Sequence, residues 1–515
     1  MRARRWLLPA IAGVAAVAFG LGVAEIVSAV FAAQASPVIV VGSLLIDFAP
    51  PWAKDAAIAL FGTADKIALL VAIGLVLVVV AAAVGVIASR WPIVARLAIV
   101  AGGILGIAAA VTRSGSSMVD ALPALGAMIA AMIALGALIR RAPVPLAADE
   151  KPRADEKSGS DAPSRRGFLG WAGGATVLGA LAFAGGYALK AGARAVTAVR
   201  ETFTLPTAKT TVDAVPASAE LGVPGLAPFI TPNAQFYRID TALQVPNLDP
   251  AAWKLRIYGM VENEIEITWD ELIALPLEES YTTLICVSNP VGGPLIGNAK
   301  WLGYPIRHLL ERAKPTADAD MVLSRSSDGF TASSPIEALT DDRNSILAIG
   351  MNDQPLPLEH GFPVRMVVPG LYGYVSATKW VTELKVTTFA DDLAYWSTRG
   401  WDERGPVKIQ SRIDVPRGQV SAGDVVVAGV AWNQHTGIAK VEVSVDDGTW
   451  REAELATAIS QDTWVQWRYV WDAPAGSHTL KVRATSVGGE VQTDELADVA
   501  PDGATGHDTV GVTVS

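Results

Sequence analysis

The sequence predicts a multi-domain chain with an N-terminal α-helical transmembrane bundle, an α+β domain and a C-terminal immunoglobulin-like β-sandwich. Three observations predict it. The 515 residues are 51% hydrophobic and only 18% charged, too apolar for an ordinary soluble enzyme and too long for a small membrane bundle alone. The charges divide unevenly, with 18 basic and 10 acidic residues in the first 200 positions and 23 basic and 41 acidic residues after them. The apolar spacing also changes along the chain, from long unbroken runs to mixed helix and strand patterns and then to strands alone. Low charge, ample tryptophan and the lack of biased tracts exclude global disorder. The acidic C-terminal part argues against nucleic acid as a partner, and a single cysteine excludes an intrachain disulfide framework.

Residues 1–140 form a predicted four-span region. Its apolar stretches run from roughly 6 to 32, 66 to 88, 92 to 112 and 118 to 140, and a spanning helix needs about 20 residues to cross about 30 Å of hydrocarbon. The stretch from Pro37 to Pro50 is shorter, contains Gly42 and Asp47 and ends in Pro50-Pro51. It reads as a re-entrant or surface segment. Arg2, Arg4 and Arg5, then Arg90 and Arg96, then Arg140 and Arg141 all fall on one side if the spans alternate. The excess of arginine makes that side the cytoplasm. Residues 141–164 are polar and without hydrophobic period, and read as a disordered cytoplasmic linker.

At residues 165–190 a fifth span begins behind the run Ser164-Arg165-Arg166-Gly167-Phe168-Leu169. The run fits the twin-arginine export pattern, placed inside the chain. A bare arginine pair would also serve as positive-inside charges. Both readings put everything after residue 190 on the extracytoplasmic side, and the export reading adds that the domain crosses already folded, as a cofactor inserted in the cytoplasm requires. No histidine precedes His308. The spans therefore offer no pair of histidines for a membrane haem, and Met118, Met128 and Met132 are poor substitutes. Glu25 is the one ionisable residue that stands within the interiors of the first four spans.

Residues 201–408 read as α+β. Leu255 with Ile257, Ile265 with Ile267, Tyr281 to Ile285, Met321 to Ser324 and Val364 to Val368 look like strands. Trp269 to Leu272, Ile306 to Ala313 and Ile336 to Leu339 look helical. Residues 409–515 read as all β, with strands at Val425 to Ala431, Lys440 to Val445, Trp464 to Trp471, Thr479 to Ala484 and Thr509 to Val514. Asp446-Asp447-Gly448 and Gly488-Gly489 supply turns. Strands of this number and spacing fit an immunoglobulin-like sandwich without the cysteine pair of antibody domains.

Two constellations carry the candidate chemistry. Cys286 ends a strand-like run and opens a glycine-rich loop, read as extending from Gly292-Gly293 to Gly297-Asn298-Ala299-Lys300-Trp301. A lone cysteine is commonly an inert core residue, but a strand end before such a loop is where a ligand or nucleophile is held. His308 is near in sequence but reads equally as a surface residue of a helix start. The five histidines show no zinc spacing. The hydrolase, P-loop and dinucleotide fingerprints are missing. The second constellation is Leu356 to Arg365, with His360-Gly361-Phe362-Pro363-Val364-Arg365 at its end, followed by Ser376-Ala377-Thr378-Lys379-Trp380. Its arginine can hold an anionic group bidentately and its lysine can add a point charge. Arginine and lysine on solvated strand faces would look the same.

Together these segments resemble the sulfite oxidase family of molybdenum-cofactor oxidoreductases, of the membrane-anchored bacterial type. Thr231-Pro232-Asn233, Phe236-Tyr237-Arg238, the Cys286 segment, Gly297 to Gly303, the His360 to Arg365 run and Lys379-Trp380 follow one another in that family's order. The resemblance covers about residues 225–400, and the β region after 408 looks like the family's dimerisation domain, which implies a homodimer. It implies a molybdenum–molybdopterin cofactor with the Cys286 thiolate as metal ligand. Asn233, Tyr237, Arg238, His360, Arg365 and Lys379 are implied to bind the cofactor, and Cys286 and Arg238 to be catalytic. Three departures stand out. Phe330 replaces a tyrosine of the substrate site, the segment before Lys379 is one residue longer than Ser-x-Lys-Trp, which leaves Ser376 without an assigned pterin contact, and no counterpart of the animal members' haem domain is seen. The implied activity is two-electron oxygen-atom transfer on a small oxyanion or sulfur compound. Electrons pass to or from a separate carrier, a cytochrome or a haem-bearing membrane protein. The alternatives are a reductase of oxo compounds such as sulfoxides, or a membrane sensor or adhesin with a degenerate cofactor domain.

Overall fold

The computed structural model describes residues 4–32, 35–49, 60, 65–112, 116–142, 164–189 and 192–515. Arg2, the Pro50-Pro51 pair and nearly all of the predicted linker lie outside the described residues. Two compact units form, Met1–Ala195 with Thr241–Gln244, and Val196–Asp240 with Val245–Ser515.

The first unit is helical, with α1 (Arg4–Phe31), α2 (Pro37–Phe48), α3 (Asp65–Ala88), α4 (Pro92–Val111), α5 (Leu122–Arg141) and α6 (Arg165–Leu189). Five helices among the described residues are long and apolar enough to cross a membrane, at Trp6–Phe31, Ile67–Ala88, Pro92–Val111, Met118–Arg141 and Arg165–Leu189. The segment after Pro37 is a 12-residue helix, too short to cross. Pro37 stands at its start, where the missing N–H would have had no intrahelical partner. Long apolar helices with little polar patterning need another way to approach closely, and α1 does so through glycine. A Cβ on Gly13 would lie 2.0 Å from the Ala81 carbonyl oxygen, and one on Gly22 would lie 2.3 Å from that of Gly179. Glu25 is buried on α1 and accepts a hydrogen bond from the Ser36 hydroxyl.

The second unit holds two sheets of the α+β region and both sheets of the sandwich. One sheet has the order β2 (Ile265–Thr268), β1 (Lys254–Gly259), β10 (Val381–Thr387), β5 (Met321–Ser326), β6 (Thr331–Pro335). The other runs β3 (Glu278–Ile285), β4 (Ile296–Pro305), β7 (Ile346–Met351), β8 (Gln354–Pro355), with β9 (Arg365–Val367) pairing β7. Helix α7 covers Gly192–Thr202. In helix α8 (Trp269–Ile273) a capping box of Thr268 and Glu271 satisfies the first turn. Helix α9 (Ile306–Ala313) buries Ile306, Leu309, Leu310 and Ala313 on one face and ends at Lys314 in the left-handed region. His308, on its other face, pairs with Glu311 at 3.8 Å and is 41% exposed. Two further short helices are α10 (Glu337–Thr340) and α11 (Gly373–Ser376).

One expectation is corrected. Gly297 to Trp301 is not loop but the middle of β4, paired residue for residue with β3, so that Thr283 faces Asn298 and Leu284 faces Gly297. The strand is covered on both faces, so it shows no alternation. Gly297 belongs there because a Cβ would lie 2.8 Å from the Phe236 ring. The true loop is confined to 286–295, closed by the Cys286 N–H donating to the Leu295 carbonyl at 3.0 Å.

The sandwich packs β11 (Gln410–Val415), β13 (Gly423–Trp432), β17 (Val465–Ala473) and β16 (Glu454–Leu455) against β12 (Gly418–Val420), β19 (Asp508–Val514), β18 (Gly476–Ser486), β14 (Ile438–Val445) and β15 (Arg451–Glu452). Val427 and Trp467 from the first sheet share a core with Val441, Val443, Leu480, Val482 and Val510 from the second. The Asp446-Asp447 turn adopts positive φ at both residues, 52° and 56°, as a tight hairpin turn requires.

Candidate active site

The site is assembled from four segments that β3, β4, β7 and β9 bring together. Asn298 on β4 ties the first segment down. Its backbone N–H donates to the Thr231 hydroxyl at 3.1 Å and its side-chain amide to the Phe229 carbonyl at 2.9 Å, and it accepts from the Thr283 hydroxyl at 3.0 Å. Phe236 then stacks on Tyr237 at 5.3 Å and meets Trp301 and His360 edge-on at 5.9 and 5.6 Å. This one ring therefore touches the strand, the segment of Tyr237 and the segment of His360.

Arg365, at the start of β9, is buried and lies 5.1 Å from the Trp301 ring centre. Its guanidinium donates to the carbonyls of His360, Met366 and Ala377 at 3.2 to 3.4 Å. Gly361 makes the crowding possible. Its φ is +113°, and a Cβ would lie 2.9 Å from that of Arg365 and 3.2 Å from that of Lys379. Lys379 donates to Asp240 at 2.7 Å and to the Glu359 carbonyl at 3.1 Å. A side chain at Gly373 would meet the Ile285 carbonyl at 3.6 Å and the Tyr237 hydroxyl at 3.8 Å, so the turn ahead of Lys379 packs on the strand end that carries Cys286.

Burial works against charge throughout this cluster. Burial, helped by Arg365 and Lys379, lowers the His360 pKa to about 4. Burial lowers Lys379 to about 8 although Asp240 opposes it. It also penalises the Arg365 guanidinium, which nonetheless remains charged. The Tyr237 hydroxyl is held above its usual range by burial and by Cys286, against the pull of Arg365. It has no hydrogen-bond partner among the described residues. Burial pushes the Cys286 thiol up, while the nearby Ser288 backbone N–H and hydroxyl pull it down.

The structure brings Tyr237, Cys286, His360, Arg365 and Lys379 together and treats the other two candidates differently. The Asn233 side chain already has protein partners, accepting from the Asn352 amide at 2.8 Å and donating to the Met351 carbonyl at 3.3 Å. Its backbone carbonyl lies 3.3 Å from His360 Nε2. The Arg238 side chain is 40% exposed and pairs with Asp240 at 2.9 Å. Ser376 is buried, and its hydroxyl donates to the Tyr372 carbonyl at 2.9 Å. Phe330 packs on Tyr395 at 5.7 Å. Sequence reasoning missed Asp240, whose side chain is 5% exposed and which joins Arg238 to Lys379, and it missed Ser288. It also missed Asn352, which bridges the Lys300 N–H, the Thr231 carbonyl and Asn233 from a left-handed backbone with φ 51°. An Asn-Asp pair is a turn signal, but nothing local marks Asp240 as buried.

Among the described residues no group of three or more His, Cys, Asp and Glu side chains is placed to hold a metal ion. A metal at Cys286 must therefore take its other ligands from a bound group. The site fits an anionic one. Arg365, Lys379 and His360 are buried close together, and the Asp240 carboxylate contacts Lys379 directly.

Comparison with known proteins agrees. Residues 242–396 match the family described as oxidoreductase molybdopterin binding domain, and residues 413–482 match the bacterial Ig domain. The mitochondrial sulfite oxidase of Macaca fascicularis is 30% identical over 322 residues, covering 53% of this chain and 58% of that one. The chain thus spans little more than half the length of the animal relatives that it matches. The protein-methionine-sulfoxide reductase catalytic subunit of Burkholderia mallei is 31% identical over 296 residues, covering 53% of this chain and 84% of that one. An uncharacterized oxidoreductase of Bacillus subtilis is 31% identical over 157 residues, covering 30% and 76%. The chain belongs to the sulfite oxidase family of molybdopterin oxidoreductases. It is an oxidoreductase, and its cofactor is molybdenum held by molybdopterin.

The His360 shift sets a pH dependence. The unfolded chain takes up this proton near pH 6.5 and the folded chain only near pH 4, so acidification through that window favours unfolding. In the cofactor-free chain His360 removes about 3 kcal/mol of stability between pH 6.5 and pH 4. His360→Asn flattens that part of the profile, read as denaturant midpoint against pH.

Proposed function

We propose that the chain is a membrane-anchored enzyme of two-electron oxygen-atom transfer on a small oxyanion or sulfur compound. Its catalytic domain lies on the extracytoplasmic side, and it exchanges electrons with a separate carrier. The observation that carries this reading is the buried Cys286 beside the Arg365, Lys379 and His360 pocket. When bound, the molybdenum cofactor supplies the oxygen-atom and electron chemistry.

The chain's own residues do the rest. Arg365 and Lys379 would neutralise the cofactor's phosphate, and His360, neutral near pH 7, would offer it a ring nitrogen. The Ser288 N–H and hydroxyl stabilise a Cys286 thiolate. Tyr237 presents a protonated hydroxyl between Cys286 and Arg365, and Arg238, at the exposed rim, attracts an oxyanion. Two partners complete the reading, a cytochrome or haem-bearing membrane protein as carrier and a second copy paired through the sandwich.

A reductive direction, with a sulfoxide as substrate, is favoured by two observations. Phe330 offers no hydroxyl where sulfite oxidases have a tyrosine, and the chain covers 84% of the sulfoxide reductase subunit against 58% of the animal sulfite oxidase. Assays with sulfite, other oxyanions and sulfoxides separate the directions. Sulfite-dependent reduction of an electron acceptor with no sulfoxide turnover would exclude the reductase.

The anchor and the export signal belong to the same reading. Arg165 opens α6, and the Gly167 N–H donates to the Ser164 hydroxyl at 3.0 Å. The five apolar helices support insertion in the cytoplasmic membrane. Two outcomes follow. The purified chain carries about one molybdenum, and elemental analysis of Cys286→Ser finds it largely lost. A reporter fused after residue 200 is active outside the cytoplasm, and changing Arg165 and Arg166 together to Lys abolishes that activity. Undiminished export in the double variant would leave the pair as orientation charges.

A further inference from the structure

The peptide on both sides of Cys286 is held by the β-sandwich. Ahead of it, the Thr283 N–H donates to the Asp462 carbonyl at 3.0 Å, and the Thr283 hydroxyl accepts from the Trp464 N–H at 2.9 Å. The Gln434 amide also bonds the Thr283 carbonyl. Behind it, the neck of the loop is closed between Cys286 and Leu295, and Asn289 accepts from the Leu295 N–H at 2.7 Å. The tip, Gly292-Gly293, meets two charged residues of the sandwich. Arg412 on β11 donates to the Gly293 carbonyl at 3.0 Å and to Asp414 at 2.7 Å. Gly292 has φ +71°, and a Cβ there would lie 2.3 Å from Asp508 Oδ1. Asp508 in turn accepts from the Ile413 N–H at 2.8 Å, so the tip rests on a carboxylate that the sandwich holds in place.

Contacts between domains of one chain are commonly polar and adaptable. These are buried, with Arg412 7% and Asp508 6% exposed. A buried charge persists where its donors and acceptors are used, and here the Gly293 carbonyl uses one of them. Between Thr283 and Gly292 the chain has few residues in which to absorb a displacement, and the Cys286 sulfur lies among them. We infer that the sandwich is a positioning element of the catalytic centre, in which Arg412 and Asp508 act as positioning residues by fixing the loop that sets the place of the Cys286 sulfur. The catalytic meaning of this rests on Cys286 being the metal ligand, whereas the hold on the loop does not.

Cys286 is the chain's single cysteine, so a thiol reagent reads this site alone. The full-length chain, produced without cofactor, is compared with Arg412→Ala, Arg412→Lys and Gly292→Ala under native conditions. Arg412→Lys keeps the charge beside Asp414 but loses the planar fork. Gly292→Ala disturbs the same contact from the loop side and leaves the sandwich sequence intact. Each variant is expected to raise the labelling rate about tenfold or more. Each is also expected to shift the sulfur-to-molybdenum absorption of the cofactor-loaded chain, with Arg412→Lys closer to the original protein than Arg412→Ala. If Arg412→Ala does not fold, the other two variants decide. Original labelling rates and spectra in folded Arg412→Lys and Gly292→Ala would overturn the inference. Faster labelling combined with full molybdenum content in Cys286→Ser would uphold the positioning and reject the ligand reading. Unchanged labelling with molybdenum lost in Cys286→Ser would do the reverse.

Discussion

Burying Arg365, Lys379 and His360 close to one another places like charges where water cannot screen them, and Asp240 is the carboxylate set against Lys379. Desolvation depresses all three, repulsion from neighbouring cations adds to it for His360 and Lys379, and His360 resolves the conflict by staying neutral. An anion entering the pocket removes the repulsion and is bound with the charges already in place. The structure around the pocket answers the need to hold those side chains still while they repel each other. Carbonyls of His360, Met366 and Ala377 take the Arg365 donors, and the Glu359 carbonyl takes one from Lys379.

That hold needs close approach of backbones, which is where particular residues matter. Gly361 lets its segment lie against Arg365 and Lys379, and Gly297 lets β4 lie under Phe236. Phe236 then serves as a common wall for Tyr237, Trp301 and His360. Glycine has a similar use among the apolar helices, where Gly13 and Gly22 bring α1 against its neighbours. In each case the missing side chain matters more than any contact the glycine makes.

Much of this was legible in the sequence because it depends on spacing. The long apolar helices, the helix at Ile306 to Ala313 and the main sandwich strands follow from periodicity and length. The segment from Gly297 to Trp301 misled because a strand buried on both faces loses its alternation, and its glycine and asparagine imitate a loop. The Asn233 side chain could not be placed from sequence, since its partners Asn352 and Met351 lie more than a hundred residues away. Asp240 was passed over for the same reason, since its partner Lys379 is equally remote in the chain and burial belongs to the folded state.

The sequence by itself determined which segments are apolar enough to span, that one cysteine was available, and that His360, Arg365 and Lys379 stand in a family order. Those are properties of residue type and order, and they do not depend on what packs nearby. Only the tertiary structure decided that the cationic side chains share one buried pocket, that Asp240 joins it, and that the Cys286 loop rests on Arg412 and Asp508. Each of these joins residues far apart in the chain. Their energies come from desolvation and short-range geometry, which exist only once the sheets have paired.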